Sequence, residues 1–145
     1  MLIGQYETTI TEAKRVAIPK KFRSELGSNF IIARWYEKCL VLVAKNNWTS
    51  LMERVTGTNA PVIAPVRRTD RFILGSAFEL TPDSQGRAVL PTSLVEYAGL
   101  KVEVVFVGLG DRVEIWDKTH WEKEESELAN IAGDLIENLN NGQRP

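Results

Sequence analysis

The sequence holds one cysteine and one histidine. Cys39 alone cannot build an internal disulfide framework, and it reads as a small buried hydrophobe. His120 alone excludes most His-based metal centres and leaves little for Ser/His nucleophilic chemistry. No metal, cofactor or enzymatic activity is expected. Long apolar runs are also missing: stretches such as Phe30–Ala33 and Val104–Val107 fall far short of the roughly 20 residues of a membrane span. The N-terminus has neither the basic start nor the apolar stretch of a secretory signal. Collagen-like, mucin-like and broadly disordered compositions are absent. These absences point to a reducing, cytoplasmic setting. What is present is ordinary globular composition: 145 residues, 43% hydrophobic and 26% charged, enough for one domain or two small ones.

Charge is scarce only in the sum. The formal net charge is −1, yet residues 1–74 hold 12 Lys/Arg against 6 Asp/Glu, and residues 75–145 hold 6 against 13. Such asymmetry between halves suggests a polyanion-binding half. The basic excess is local. Lys14, Arg15, Lys20, Lys21 and Arg23 fall in one short stretch that contains no acid, while Glu122, Glu124, Glu125 and Glu127 crowd the other end.

The chain also repeats itself. At a spacing of 72, Arg15 maps to Arg87, Pro19 to Pro91, Phe22 to Leu94, Leu26 to Ala98 and Gly27 to Gly99; at 73, Val41–Ala44 lies over Glu114–Asp117 and Trp48 over Trp121. Each copy reads alike. An extended segment (Leu2–Ile10, Ala77–Leu80) leads through a turn (Thr11–Lys14, Pro82–Gly86) to a short strand (Arg15–Ile18, Arg87–Leu90). A proline at a first helical position starts a helix that a glycine ends. Two strands follow, Asn29–Arg34 with Cys39–Ala44 and Lys101–Val107 with Arg112–Trp116, joined by hairpin-length links at Trp35–Lys38 and Gly108–Asp111. Each copy closes with a helix. In the first, Trp48, Leu51, Met52 and Val55 form an apolar stripe. The second is expected to start on Asp117 as N-cap with an acidic first turn, to carry the stripe Leu128, Ile131, Ala132, Leu135 and Leu139, and to fray from Asn138. The division expected is a first repeat over 1–60, a linker and short helix over 61–74 carrying Arg67, Arg68 and Arg71, and a second repeat over 75–145.

Several strings in this frame stand at family spacing: Gly4-Gln5-Tyr6-Glu7, Arg15 to Pro19, Phe22-Arg23, Asp83 to Arg87, Leu94, Glu96 to Leu100, and Val113 to Trp116. Together they resemble the MraZ family, over nearly the whole chain and in both copies. The resemblance implies an α+β fold of duplicated AbrB-like swapped-hairpin β-barrel modules with flanking helices. It further implies a bacterial transcriptional regulator of a cell-division and cell-wall gene cluster, binding repeated promoter sites in double-stranded DNA as a ring-shaped homo-oligomer on the nucleoid. The family signature, Asp-x-x-x-Arg, is intact as Asp83 and Arg87. The first copy keeps Arg15 but has Thr11 at the Asp position and Lys14 where the family usually has Gly. Val95 stands where an Arg often follows the helix Leu, whereas Arg23 keeps that Arg.

The chemistry of the two turns can be read directly. An Asp opening a tight turn accepts backbone N–H bonds and can pair with the Arg four residues on. Threonine caps the same turn without charge. Arg15 is therefore expected to be the freer phosphate or base contact, and Arg87 to be held by Asp83. Lys14, Arg15, Lys20, Lys21, Arg23 and Arg87 are the candidate DNA-binding residues, on a two-stranded ribbon of major-groove width and a helix start. Arg112→Glu is expected to leave binding almost unchanged. Trp35-Tyr36 read as packing residues, Trp48 and Trp121 as core or interface, and His120 as a surface residue near a helix start. A glycosidase-type pair of Glu79 and Asp83 lacks support. Two further readings stay open: a DNA-binding antitoxin whose acidic C-terminal helix engages a protein partner, and an interaction scaffold of the same fold.

Overall fold

The computed structural model describes residues 1–142. In chain order the first half forms β1 (Leu2–Thr9), β2 (Arg15–Ala17), α1 (Lys20–Leu26), β3 (Phe30–Arg34), β4 (Leu40–Ala44), α2 (Trp48–Thr56) and α3 (Ala64–Ile73). The second forms β5 (Phe78–Leu80), β6 (Arg87–Val89), α4 (Thr92–Ala98), β7 (Glu103–Gly110), β8 (Val113–Asp117) and α5 (Lys118–Gly142). The architecture is α+β, with two sheets and five α-helices among the described residues.

The strands exchange partners between copies. The six-stranded sheet runs β1-β7-β8-β4-β3-β5, and β2 pairs only with β6. The first strand of each copy thus lies on the hairpin of the other. The registers agree: Tyr6 faces Phe106 as Phe78 faces Ile32, and Thr8 faces Val104 as Leu80 faces Phe30. The pseudo-twofold passes between Val16 and Ala88 in the ribbon and between Val41 and Glu114 at the sheet centre. The hydrogen-bond ladder does not close into a barrel among the described residues, because β1 and β5 are its edges.

Both faces of the six-stranded sheet are covered, which is why β4 is buried at every residue and β7 from Val104 to Gly108. One face packs against α1, α4 and the ribbon through Phe22, Leu26, Phe30, Ile32, Leu94 and Phe106. The other packs Leu51 of α2, Ile73 of α3 and Trp121 of α5 over Val41, Val43, Val105 and Trp116.

Four details differ from the sequence reading. Pro19 and Pro91 sit just outside their helices with extended ψ of 132° and 137°; the carbonyl of each accepts two of the first helical N–H groups. β7 runs on to Gly110 because β1 pairs with it that far, as Leu2 opposite Gly110, leaving Asp111-Arg112 as the turn. Asp117 directly precedes α5, where the helix start was expected, but its carboxylate serves another segment. It is the buried end of β8, and its carboxylate accepts the N–H of Lys101 at 3.2 Å. The first turn of α5 contains no acid, and the helix continues through Asn138 to Gly142; only residues 143–145 of the expected frayed tail lie outside the described residues.

Candidate nucleic-acid interface

The two turns that lead into the β2–β6 ribbon are built to one plan. In the first, Thr11 N–H donates to the Arg15 carbonyl (2.9 Å), Lys14 N–H to the Thr11 carbonyl (2.9 Å), and Arg15 N–H to Thr11 Oγ1 (3.1 Å). In the second, Asp83 N–H donates to the Arg87 carbonyl (2.8 Å), Gly86 N–H to the Asp83 carbonyl (2.9 Å), and Arg87 N–H to Asp83 Oδ1 (3.0 Å). A hydroxyl and a carboxylate do the same local work. The carboxylate adds two things. Asp83 Oδ1 also accepts Gln85 N–H at 2.9 Å, and Oδ2 accepts Arg87 Nε at 3.2 Å. The Arg87 N–H, then that of Gln85 and the Arg87 guanidinium, hold the Asp83 carboxyl below its ordinary value against the smaller opposing effect of desolvation.

Lys14 and Gly86 occupy the equivalent left-handed corners, at φ of 62° and 78°. Glycine adopts this freely; for lysine it costs about 1 kcal/mol. The corners also tie the copies together. Leu90 N–H donates to the Lys14 carbonyl at 2.8 Å, and Ile18 N–H to the Gly86 carbonyl at 3.0 Å.

The ribbon has one buried and one outward face. Val16 and Ala88 point into the core; Arg15, Ala17, Arg87 and Val89 point away from it. Pairing sets Arg15 opposite Val89 and Arg87 opposite Ala17, so the two arginines lie diagonally on the same outward face. Arg15 is exposed, and among the described residues its guanidinium has no hydrogen-bond or ion partner. Arg87 is half-buried and held by Asp83. Lys20 and Lys21 are exposed where α1 leaves the ribbon, and Lys21 Nζ lies 5.8 Å from the centre of the Tyr6 ring. Arg23 is further in. It is half-buried, its Nε donates to the Ile18 carbonyl at 2.9 Å, and its guanidinium rests on Gly86.

The remaining singled-out residues fall elsewhere. Trp35 is buried and Tyr36 exposed at the β3–β4 link. Trp121 is buried, donating to Gln5 Oε1 at 3.1 Å, and Trp48 is half-buried on the same core. His120 packs edge-on against Trp116. Glu79 pairs with Lys45, away from the Asp83 turn partners. Cys39 is buried, and burial first of all pushes its thiol well above the usual range.

Several residues gave no signal in the sequence. Glu114 is buried and accepts the indole N–H of Trp116 at 2.9 Å. Arg112 is half-buried, bonded to Asp111 at 2.8 Å and set over Trp35, so its replacement would also disturb packing. Arg34 donates to the Phe72 carbonyl at 2.8 Å and stacks on Phe72 and Tyr97. Among the described residues, no cluster of three or more His, Cys, Asp or Glu is placed to hold a metal ion. No described helix is long and apolar enough to cross a membrane.

Comparison with known proteins agrees with the duplication. Residues 1–72 and 73–137 each match the family described as "MraZ protein, putative antitoxin-like". The protein named transcriptional regulator MraZ from Caldanaerobacter subterraneus subsp. tengcongensis is 37% identical over 141 residues, covering 97% of this chain and 98% of the relative. That of Syntrophomonas wolfei subsp. wolfei is 37% identical over 141 residues, covering 94% and 98%. That of Oenococcus oeni is 36% identical over 140 residues, covering 96% of both. With two tandem copies of the family's domain and full-length relatives of this identity, the chain belongs to the MraZ family of transcriptional regulators, which are not enzymes.

Proposed function

We propose that this chain binds double-stranded DNA in a sequence-specific manner through the outward face of the β2–β6 ribbon. The observation that carries the reading is the placement of Arg15 and Arg87 on one face, with a neutralising carboxylate beside Arg87 only. A two-stranded ribbon fits the major groove, where an arginine reads guanine O6 and N7. Arg15 is the leading base or phosphate contact, and Arg87 the second. Lys14, Lys20 and Lys21 neutralise phosphates, and Arg23 contributes its charge from a more sheltered seat. Thr11 and Asp83 shape the turns. No cofactor takes part. In this reading residues 1–60 and 75–145 are the two repeats, 61–74 joins them, and the exchanged strands belong to the AbrB-like swapped-hairpin class. The cellular role that follows is control of a bacterial cell-division and cell-wall gene cluster from repeated promoter sites, on the nucleoid, with several subunits in a ring supplying avidity.

The test is fluorescence anisotropy with DNA from the gene's own upstream region, across a salt series. Wild type is expected to bind tightly and to lose affinity steeply with salt. Arg15→Glu is expected to lose at least about tenfold at low salt, since it removes a charged contact and adds a repulsion. Lys123→Glu, on α5 across the sheet from the ribbon, replaces Arg112 as the neutral control. Equal, salt-insensitive binding of wild type and Arg15→Glu, no tighter than to random DNA, overturns the proposal.

A second reading rests on α5. Leu128, Ile131, Leu135, Ile136 and Leu139 are exposed along an acidic helix, a surface suited to a protein partner. It is compatible with DNA binding by the ribbon, and also with the antitoxin and scaffold alternatives.

A further inference from the structure

Under the pseudo-twofold, Lys14 corresponds to Gly86 and Arg23 to Val95. The equivalence is fixed by backbone bonds, Leu90 N–H to the Lys14 carbonyl and Ile18 N–H to the Gly86 carbonyl. The two sites are filled in opposite ways. At the second turn the corner residue has no side chain, and α1 lays the Arg23 guanidinium in the space: a Cβ built on Gly86 would overlap the Arg23 Cζ, Nη1 and Nε atoms. Arg23 is fastened there, because its Nε donates to the carbonyl of Ile18, the residue whose N–H holds Gly86. At the first turn the corner carries the lysine side chain, and α4 offers the shorter, buried Val95. Each turn thus has one cationic residue of the equivalent pairs: Arg23, seated on Gly86 just before Arg87, and Lys14, which itself precedes Arg15. In one it comes from the helix and in the other from the turn.

We propose that Arg23 is a positioning residue for Arg87: its guanidinium, seated on Gly86, fixes the loop that presents Arg87 on the ribbon's outward face. The Lys14–Val95 pair is the same device with the cation moved from helix to turn. Neither residue of a pair can be exchanged alone. A side chain at Gly86 evicts Arg23, whereas Arg23→Val leaves a hollow and removes a charge. Exchanging both recreates, at the second turn, the arrangement the first turn already has. The DNA consequence rests on the function proposed above; the structural coupling does not.

Four proteins test it: wild type, Gly86→Lys, Arg23→Val and the double variant. Two readouts are needed. The first is amide hydrogen exchange at Gln85, Arg87 and, as internal reference, Arg15. Each single variant is expected to speed exchange at Arg87 at least about tenfold with Arg15 unmoved, and the double to return Arg87 to within about threefold of wild type. The second is the salt dependence of DNA affinity. Arg23→Val should lower the slope by about one phosphate contact, and the double variant, which restores the cation, should restore the slope. Packing alone would not move that slope. Arg23→Val keeps the test open if Gly86→Lys alone does not fold. A double variant that fails to fold, or exchanges at Arg87 no slower than its worse parent, overturns the proposal. Failure of wild type to bind DNA removes the function proposed above, while the exchange data still decide the coupling.

Discussion

At the residue scale, the two turns differ in one titratable group. A carboxyl held below its ordinary value stabilises the fold in its charged form. That contribution is complete above the unfolded value, near 3.8, and is lost as pH falls through the lower folded value. Thr11 has no such dependence. Acidification should therefore loosen the second turn before the first. Amide shifts of Arg87 followed below pH 4 are expected to move while those of Arg15 stay in place, and Asp83→Asn should abolish the difference. Glu114 has the opposite sign. Burial first of all raises its carboxyl above the ordinary value, with Glu37 adding repulsion, against the Trp116 N–H and Arg112. Stability is then present at acid pH and declines as pH rises through the folded value. Glu114→Gln keeps an acceptor for the Trp116 indole. It should unfold at higher urea than wild type at pH 8, with the gap closing toward pH 4.

At the scale of elements, β1 lies tightly against its ladder partner β7 at Gly108, which pairs with Gly4. A Cβ on Gly108 would meet Ile3 N and the Leu2 carbonyl carbon at 2.6 Å, and neither can swing aside as a side chain end would. Gly108→Ala is expected to cost about 2–3 kcal/mol and to free β1, seen as fast amide exchange over residues 2–5 with β3 and β4 unchanged. This position also marks what the sequence could and could not give. Helix starts after Pro19 and Pro91, stops at Gly27 and Gly99, and the Thr11 and Asp83 turns were all legible, because each is decided by residues within a few positions of one another. The strands were legible from apolar runs, apart from the extension of β7 to Gly110. The tight pairing at Gly108 was not, since nothing local marks a glycine that a neighbouring strand's backbone approaches this closely. The Arg23–Gly86 seat was hidden likewise; the repeat supplied the equivalence of Lys14 with Gly86, but only the fold brings helix α1 onto that turn. Glu114 is buried because both sheet faces are covered, which nothing within its own strand reveals. The end of α5 was placed too early because a chain terminus was taken to fray from Asn138, whereas the helix continues to Gly142.

At the scale of the whole molecule, duplication has not made two independent units. β1 pairs with β7, β5 with β3 and β2 with β6, so every first strand depends on the other copy's hairpin. Phe22 of α1 and Leu94 of α4 sit in one core, with Phe30 and Phe106 from opposite halves. Opening one repeat would strip the sheet partners and core of its neighbour, and no intermediate with a single intact repeat keeps a complete sheet. The protein should therefore unfold in one cooperative step. Calorimetry is expected to give a single transition with van't Hoff and calorimetric enthalpies equal, the latter near 100 kcal/mol for a chain of this size. Assembly between subunits would raise the midpoint with protein concentration, so the scan is to be repeated at several dilutions, the enthalpy ratio being read at the lowest. Two resolved transitions at that dilution, each with about half the enthalpy, would mean that the exchanged strands contribute little to cohesion. The ribbon, made of one strand from each copy, would then be a hinge between repeats, and Arg15 and Arg87 would not be held on a common face for one groove of DNA.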